Sequence, residues 1–312
     1  MIKEIGGYFE CEKNSGDEYY DYLAFNTGRD ALKFIIERRN IKKIYLPYYL
    51  CKVVRDTLEK EGVEIIYYHI NEHFEPIIDD YDNSIYLYLV NYFGILSRED
   101  ILRIRSKFEK IILDNTHAFF LQINIDADII YNTRKYFGVC DGAYLKTDLE
   151  GEELPLASST NRLSYLFGRM ENDAESFYKS FIKSEESLNN NGILGMSKIT
   201  HNMLKGIDYK KVKAIREVNY NLLGKELNRK NKLKNMHSAF MYPLLVEDGK
   251  KLKKKLIENK IYVPTLWDNY QKPLNDFEKD LLDNLVLLPI DQRYTRDDMQ
   301  RIIDVIGFGK KR

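Results

Sequence analysis

Three short segments hold residue types and spacings that do chemistry. In ILDNTHAFF, at 112–120, Asp114 stands just past an apolar run that reads as a buried strand, and His117 follows three residues later. A carboxylate there can pair with a cationic ring nitrogen of a cofactor. It can equally cap the next turn. In DIIYNTRKYFGVCDGAYL, at 128–145, Lys135 lies in a loop between two strands, with Tyr131, Tyr136 and Phe137 around it. A lysine in an apolar pocket can lose its proton and attack a carbonyl carbon to form a Schiff base; in a chain with so many lysines, an ordinary surface lysine is the default for any single one. In NTGRDAL, at 26–32, Thr27, Gly28 and Arg29 open a helix. Free N–H groups and the helix dipole make such a start an anion site, and Gly28 lets a phosphate approach closely. Read alone, the segment is first an ordinary cap, because short glycine motifs are common.

Two further patterns point away from chemistry. His69, Glu72 and His73 fit HxxEH, which marks zinc sites when it lies on a helix. Here a strand-like EIIYY precedes it and Phe74-Glu75-Pro76 follows, so the two histidines share no helical face and no metal is expected. The lysine-rich run at 250–255 reads as the solvated face of a helix.

Positioning these residues requires strands whose carboxyl ends meet. Helical periodicity covers 29–38, 53–60 and 97–108, with Ser97 and Asp100 as a capping start. Short apolar runs at 43–46, 64–68, 85–90, 110–113, 129–131 and 143–146 read as strands. Strands separated by helices imply crossover units and a mainly parallel sheet, with function at the carboxyl ends. Asp114, His117, Asn132 and Lys135 sit there. From 159 to 233 the pattern is helical, with a loop at the Asn-rich 189–192. Strands at 240–246, 261–263 and 285–288, with helices at 249–259 and 295–306, form a compact α+β unit. The reading is a large α/β domain with a helical extension over 1–235 and a small α+β domain over 236–312.

The chain has 312 residues, 48 basic and 48 acidic, so it carries no formal net charge. That argues against a generic nucleic-acid or membrane-surface binder. No apolar run reaches the ~18 residues of a membrane span. The three cysteines, Cys11, Cys51 and Cys140, form no CxxC pair. Neither a disulfide framework nor a zinc ribbon is indicated, and a cytoplasmic location is expected.

In order and spacing the three segments resemble the DegT/StrS-type sugar aminotransferases of pyridoxal 5'-phosphate (PLP) fold type I. IYLPYYLC at 44–51, the segment at 242–267 and LPIDQRYTRDDMQRI at 288–302 extend the resemblance to nearly the whole chain. It implies that Thr27, Gly28, Arg29 and Asn132 anchor the phosphate and that Asp114 holds the pyridine nitrogen. It further implies that His117 and Cys51 orient the ring and that Lys135 binds the cofactor and moves protons. Three departures stand out. Asn132 replaces the usual serine, Cys51 stands where an aromatic residue is usual, and the partner-derived Gly-x-Asn-x-Arg-Met segment reads NNNGILGM, without its arginine.

The resemblance implies a homodimeric aminotransferase that moves an amino group from glutamate to a nucleotide-linked keto-sugar in amino-sugar or surface polysaccharide biosynthesis. A sugar dehydratase is the nearest alternative, though such relatives tend to replace the lysine that this chain keeps. A non-catalytic, ligand-binding descendant of the same fold is the third reading.

Overall fold

Why the first helix forms where it does is legible in its ends. Thr27 caps it through a hydrogen bond from Asp30 N–H, and Asn40 closes it in the left-handed conformation. The computed structural model describes residues 5–151, 153–189, 192–233, 240–267 and 273–307. Along the chain run β1 (Leu23–Phe25), α1 (Gly28–Arg39), β2 (Lys43–Pro47), α2 (Lys52–Lys60), β3 (Glu64–Ile70), β4 (Pro76–Ile77), β5 (Tyr86–Val90) and α3 (Arg98–Arg105). Next come β6 (Ile111–Asp114), β7 (Asp128–Asn132), β8 (Ala143–Lys146), α4 (Ser164–Glu171), α5 (Tyr178–Glu186), α6 (Lys198–Lys205) and α7 (Tyr209–Leu227). The chain continues through β9 (Tyr242–Leu245), α8 (Gly249–Glu258), α9 (Asp276–Asn284), β10 (Leu285–Leu288) and α10 (Arg296–Ile306).

The first eight strands form one sheet in the order β1-β8-β7-β6-β5-β2-β3-β4. Neighbours from β7 through β6, β5 and β2 to β3 are parallel, while β8 and β4 run against their neighbours. The chain lays β3 on one side of β2 and then β5 on the other, so the strand order reverses there. A ligand crevice is expected at the carboxyl ends beside such a reversal. The central strands are apolar on both faces: Ile111, Ile112, Leu113, Ile129 and Ile130 are all buried. Each contributes about 1.5–3 kcal/mol through burial.

A second apolar core lies under the two-stranded sheet β9–β10, which is antiparallel. It gathers Leu244, Leu256, Val286, Leu288, Met299 and Ile306, together with Leu223 and Leu227 of α7. Helix α7 thus feeds the second core before the expected boundary at 235/236, which lies outside the described residues.

Four elements differ from the sequence reading. β1, β4 and α9 were not anticipated. Residues 261–263, expected as a strand, pair with nothing among the described residues. The alternation is real, since Ile261 and Val263 are buried and Tyr262 is exposed, but the segment packs on the core without a ladder partner.

Candidate active site

The residues singled out in the sequence meet at the carboxyl edge of the large sheet. Lys135 ends a 3-10 turn, Thr133–Lys135, that leaves β7 directly. Asn132 caps the turn, its Oδ1 accepting from Arg134 N–H at 3.0 Å. Thr133 is buried and donates its hydroxyl to the carbonyls of Asp141 (3.1 Å) and Gly142 (2.8 Å). Gly142 has φ +115°, and a Cβ there would stand 2.5 Å from Thr133 Oγ1. Only glycine fits, which gives the Lys135–Gly142 spacing a physical cause.

Solvent reaches Lys135, yet protein surrounds it, so the side chain lines a cleft rather than an outer face. Burial draws its ammonium pKa down and Arg134 pushes the same way; Cys51 and Asp114 oppose them. Asp114 closes β6 and is buried. Its Oδ2 accepts from Tyr88 hydroxyl at 2.8 Å and its Oδ1 from Thr116 N–H at 2.9 Å. Burial raises its pKa, while Thr116, Tyr88 and Lys135 hold it down.

His117 is buried, and its Nδ1 accepts from Phe93 N–H at 3.3 Å. Burial and the charge of Lys135 hold its pKa well below the ordinary histidine value, so the ring is neutral near pH 7. With Nδ1 accepting, the neutral ring carries its proton on Nε2. Phe240 stacks on it at 4.2 Å, Phe93 at 5.8 Å and Trp267 at 5.9 Å between centroids. Phe93 (φ +57°) and Trp267 (φ +61°) are non-glycine residues in the left-handed region. Such backbone costs roughly 1–3 kcal/mol and gathers at functional sites.

Cys51 sits at the N-cap position of α2 without a side-chain cap bond. Its thiol is close enough to Arg29, Tyr88 and Lys135 to act on the charge of each.

At the start of α1, Thr27 is buried and its hydroxyl is committed to the carboxylate of Asp30. Gly28 and Arg29 then supply the amides that a helix leaves unpaired. Asn132 Nδ2 lies 3.9 Å from where a Cβ on Gly28 would stand. Arg29 bonds Asn189 Oδ1 and, at 3.3 Å, Leu188 carbonyl. Arg134 pairs with Glu185, feels the charge of Arg29, and buries an Nε that lacks a partner among the described residues. Two cations, Arg29 and Arg134, therefore flank the helix start.

At the position where the resemblance implies an arginine, Gly195 lies between Phe25 and Leu156. A Cβ there would stand 3.0 Å from Leu156 Cδ2. Asn190 and Asn191 of the same segment lie outside the described residues.

The sequence reading missed Tyr88, Phe93, Arg134, Phe240 and Trp267. Tyr88 was within reach of it. Val90 pairs with Asp114 in register, so Tyr88, two residues earlier, shares its face. The expected zinc decoy resolves into a strap: His69 Nδ1 lies 2.9 Å from Glu278 Oε2, and His73 N–H bonds Asn71 Oδ1 at 2.9 Å.

No protein-family model matches the chain, and no curated protein sequence does. Solved structures do match. A DegT DnrJ EryC1 StrS aminotransferase from Brucella abortus is 16% identical, with TM-score 0.60, over 93% of this chain and 86% of that one. DesV from S. venezuelae, solved in complex with a ketimine intermediate, is 14% identical, with TM-score 0.65, over 95% and 86%. Helicobacter pylori PseC, an aminotransferase involved in pseudoaminic acid biosynthesis, is 13% identical, with TM-score 0.62, over 91% and 85%. The chain has the fold of these PLP-dependent aminotransferases: a mainly parallel eight-stranded sheet followed by a smaller α+β unit.

Proposed function

We propose that the protein is a PLP-dependent aminotransferase that transfers an amino group, with glutamate as donor, to a keto-sugar carried on a nucleotide. The observation that carries this reading is the convergence of Lys135, Asp114 and His117 in one cleft, with solvent reaching the lysine and its proton loosened by burial.

The residues present fit the cofactor. Lys135 Nζ would hold its aldehyde carbon. Asp114 would face the pyridine nitrogen. Gly28 and Arg29 amides, Asn132 and the cations Arg29 and Arg134 would take the phosphate. The buried, partnerless Nε of Arg134 is the observation that favours an anion there. When bound, PLP supplies an electron sink for carbanion charge.

The chain's own residues do the rest. Lys135, with its pKa lowered, takes and returns a proton at Nζ as general base and acid. Asp114 keeps a negative charge where a cationic nitrogen is to be held. His117, neutral and clamped in its stack, offers an Nε2–H donor without adding charge. Cys51 supplies a small, polarisable contact where relatives of this kind carry a ring.

A homodimer belongs to the same reading. Phe167, Met170, Tyr178, Phe181 and Ile182 lie exposed on α4 and α5, close to the Arg134–Glu185 pair, and suit contact with a second copy. Cytoplasmic residence also belongs to it: the three cysteines are free, and no described helix is long and apolar enough to cross a membrane.

Purified protein mixed with PLP should turn yellow, lose the colour on glutamate addition and regain it with a nucleotide-linked keto-sugar. Sedimentation should report a dimer. A protein that binds PLP but never responds to an amine would favour the third reading, a ligand-binding descendant, to which Cys51 and Gly195 lend support.

A further inference from the structure

Behind the cleft lies a buried cation that no carboxylate bonds among the described residues. Arg216, on α7, is 5% exposed. It donates from Nη1 to Phe240 carbonyl at 2.9 Å, from Nη2 to Tyr136 carbonyl at 3.2 Å, and from Nε to Gln292 Oε1 at 3.1 Å. Its guanidinium lies over the Tyr136 ring, 4.5 Å from the centroid. Gln292 Nε2 donates to the same Tyr136 carbonyl at 2.7 Å. Burying a guanidinium costs several kcal/mol even when paired. Here neutral acceptors and one ring compensate it, each in a set direction.

Two of those acceptors lead to the site. Tyr136 is the residue after Lys135, and its hydroxyl donates to His117 carbonyl at 2.8 Å. Phe240 is the ring stacked on His117 at 4.2 Å. One guanidinium thus grips the Tyr136–Phe137 peptide, one residue past Lys135, and the residue that covers His117. Gln292 follows β10, so the clamp also joins the second unit to the Lys135 turn.

We infer that Arg216, with Gln292, is a positioning residue pair that fixes Lys135 and His117 relative to each other. This rests on the reading of Lys135 as the cofactor-holding lysine. The clamp acts through the Tyr136 carbonyl, which shares its peptide plane with the Phe137 N–H that bonds Thr133 at 2.9 Å; releasing it loosens the turn from which Lys135 projects. A displacement of about 1 Å at a reacting group costs on the order of 10²-fold in rate. Lysine at 216 keeps charge and donors but loses the planar fork and the stack on Tyr136.

Arg216→Lys and Gln292→Leu test this beside Asn219→Ala as control. Asn219 ties the same helix to the same loop, donating to the carbonyls of Ile290 (3.2 Å) and Tyr294 (3.0 Å), and does not bond Tyr136 or Phe240. In protein without cofactor, emission from Trp267, the single tryptophan, reports the His117 stack. Arg216→Lys should shift that emission and Asn219→Ala should not. In PLP-loaded protein, Arg216→Lys and Gln292→Leu should retain the cofactor yet move the pH midpoint of the chromophore by about half a unit or more. They should lower kcat roughly tenfold with KM within about twofold, and the double variant should lose less than the sum. Clamp variants that match Asn219→Ala at equal loss of Tm, in emission and in midpoint, would overturn the inference. Gln292→Leu carries the test if Arg216→Lys does not fold. Wild-type protein that binds no PLP defeats the functional reading instead, and Trp267 emission still decides the clamp.

Discussion

Two histidine–carboxylate pairs sit at the carboxyl ends of strands, and they differ in what each leaves open. At the end of β3, Glu278 of α9 is fully buried and saturated. It accepts from Ile70 N–H at 3.0 Å and Asn275 N–H at 2.9 Å, beside His69 Nδ1 at 2.9 Å. Asn275 Nδ2 returns a bond to Ile70 carbonyl at 2.9 Å, and Tyr48 stacks on His69 at 4.5 Å. Every group there ties α9 to β3. At the end of β6, Asp114 and His117 face a solvent-reached lysine, an arginine with a bare Nε, and two strained aromatic residues. A closed polar network holds a fold together. A network with open donors, loosened protons and strained backbone is kept for a ligand.

Perturbing the two regions in turn sharpens that contrast. The largest effect is expected at Lys135. Lys135→Ala should erase the borohydride-sensitive chromophore and lower turnover by at least about 10²–10⁴-fold, the range for a lost general acid–base group, with an unchanged circular dichroism spectrum. A mutant with the wild-type absorbance would defeat the assignment.

Glu278→Ala should do the reverse. Leaving His69 and two buried N–H groups unpaired should cost about 3–5 kcal/mol of stability in urea unfolding, with the chromophore unaltered. A change in the spectrum without loss of stability would merge the two regions into one.

Asp114→Asn should reduce turnover more than it reduces cofactor retention. The lost charge-assisted bond is worth ~1.5–3 kcal/mol, about 10- to 150-fold in rate. Wild-type turnover in this variant would make Asp114 a strand-end cap and nothing more.

His117 should mark the cleft by pH. It is held neutral in the fold, with its pKa well below the ordinary value, whereas an unfolded chain protonates it near pH 6.5. As pH falls below that point the unfolded state binds the extra proton, so folded stability drops, by at most ~1.4 kcal/mol per pH unit for one group. Stability measured from pH 7 to 5 should flatten in His117→Phe. Equal slopes in the two proteins would show that the ring is not held neutral.

The smallest effect is expected at the metal decoy. His73→Ala should leave stability and turnover unchanged, and His69→Ala should touch stability alone. Metal analysis should find less than one zinc per chain; a stoichiometric, tightly held zinc would reverse the reading of this strap.

Much of this was legible in the residues because local order carried it. The α3 start is a capping box, with Ser97 and Asp100 bonding each other's backbone, as their spacing implies. Apolar runs at β6 and β7 became buried parallel strands, so Asp114 and Lys135 had to emerge at one edge. Less was legible where a partner distant in sequence decides. Residues 261–263 alternate like a strand, but no neighbouring strand is available among the described residues. β1 is only three residues long and gains its identity by pairing with β8. Arg134 looked like one basic residue among 48 until Arg29 and Glu185 closed around it.

By itself, the sequence determined the periodicities, the caps, the glycine at 142 and the order in which an anion-binding helix start, a carboxylate and a lysine follow one another. Those are short-range properties, set by backbone sterics and by which face of each element is apolar. The tertiary structure alone decided which polar groups end up satisfied and which stay open. Asp114 and Glu278 are carboxylates of similar chemistry. Only packing gave Glu278 His69 and two backbone N–H donors, set Asp114, bonded by Tyr88 and Thr116, within the field of a lysine, and left Arg134 Nε bare among the described residues, because burial and most hydrogen-bond partners come from residues far apart in the chain.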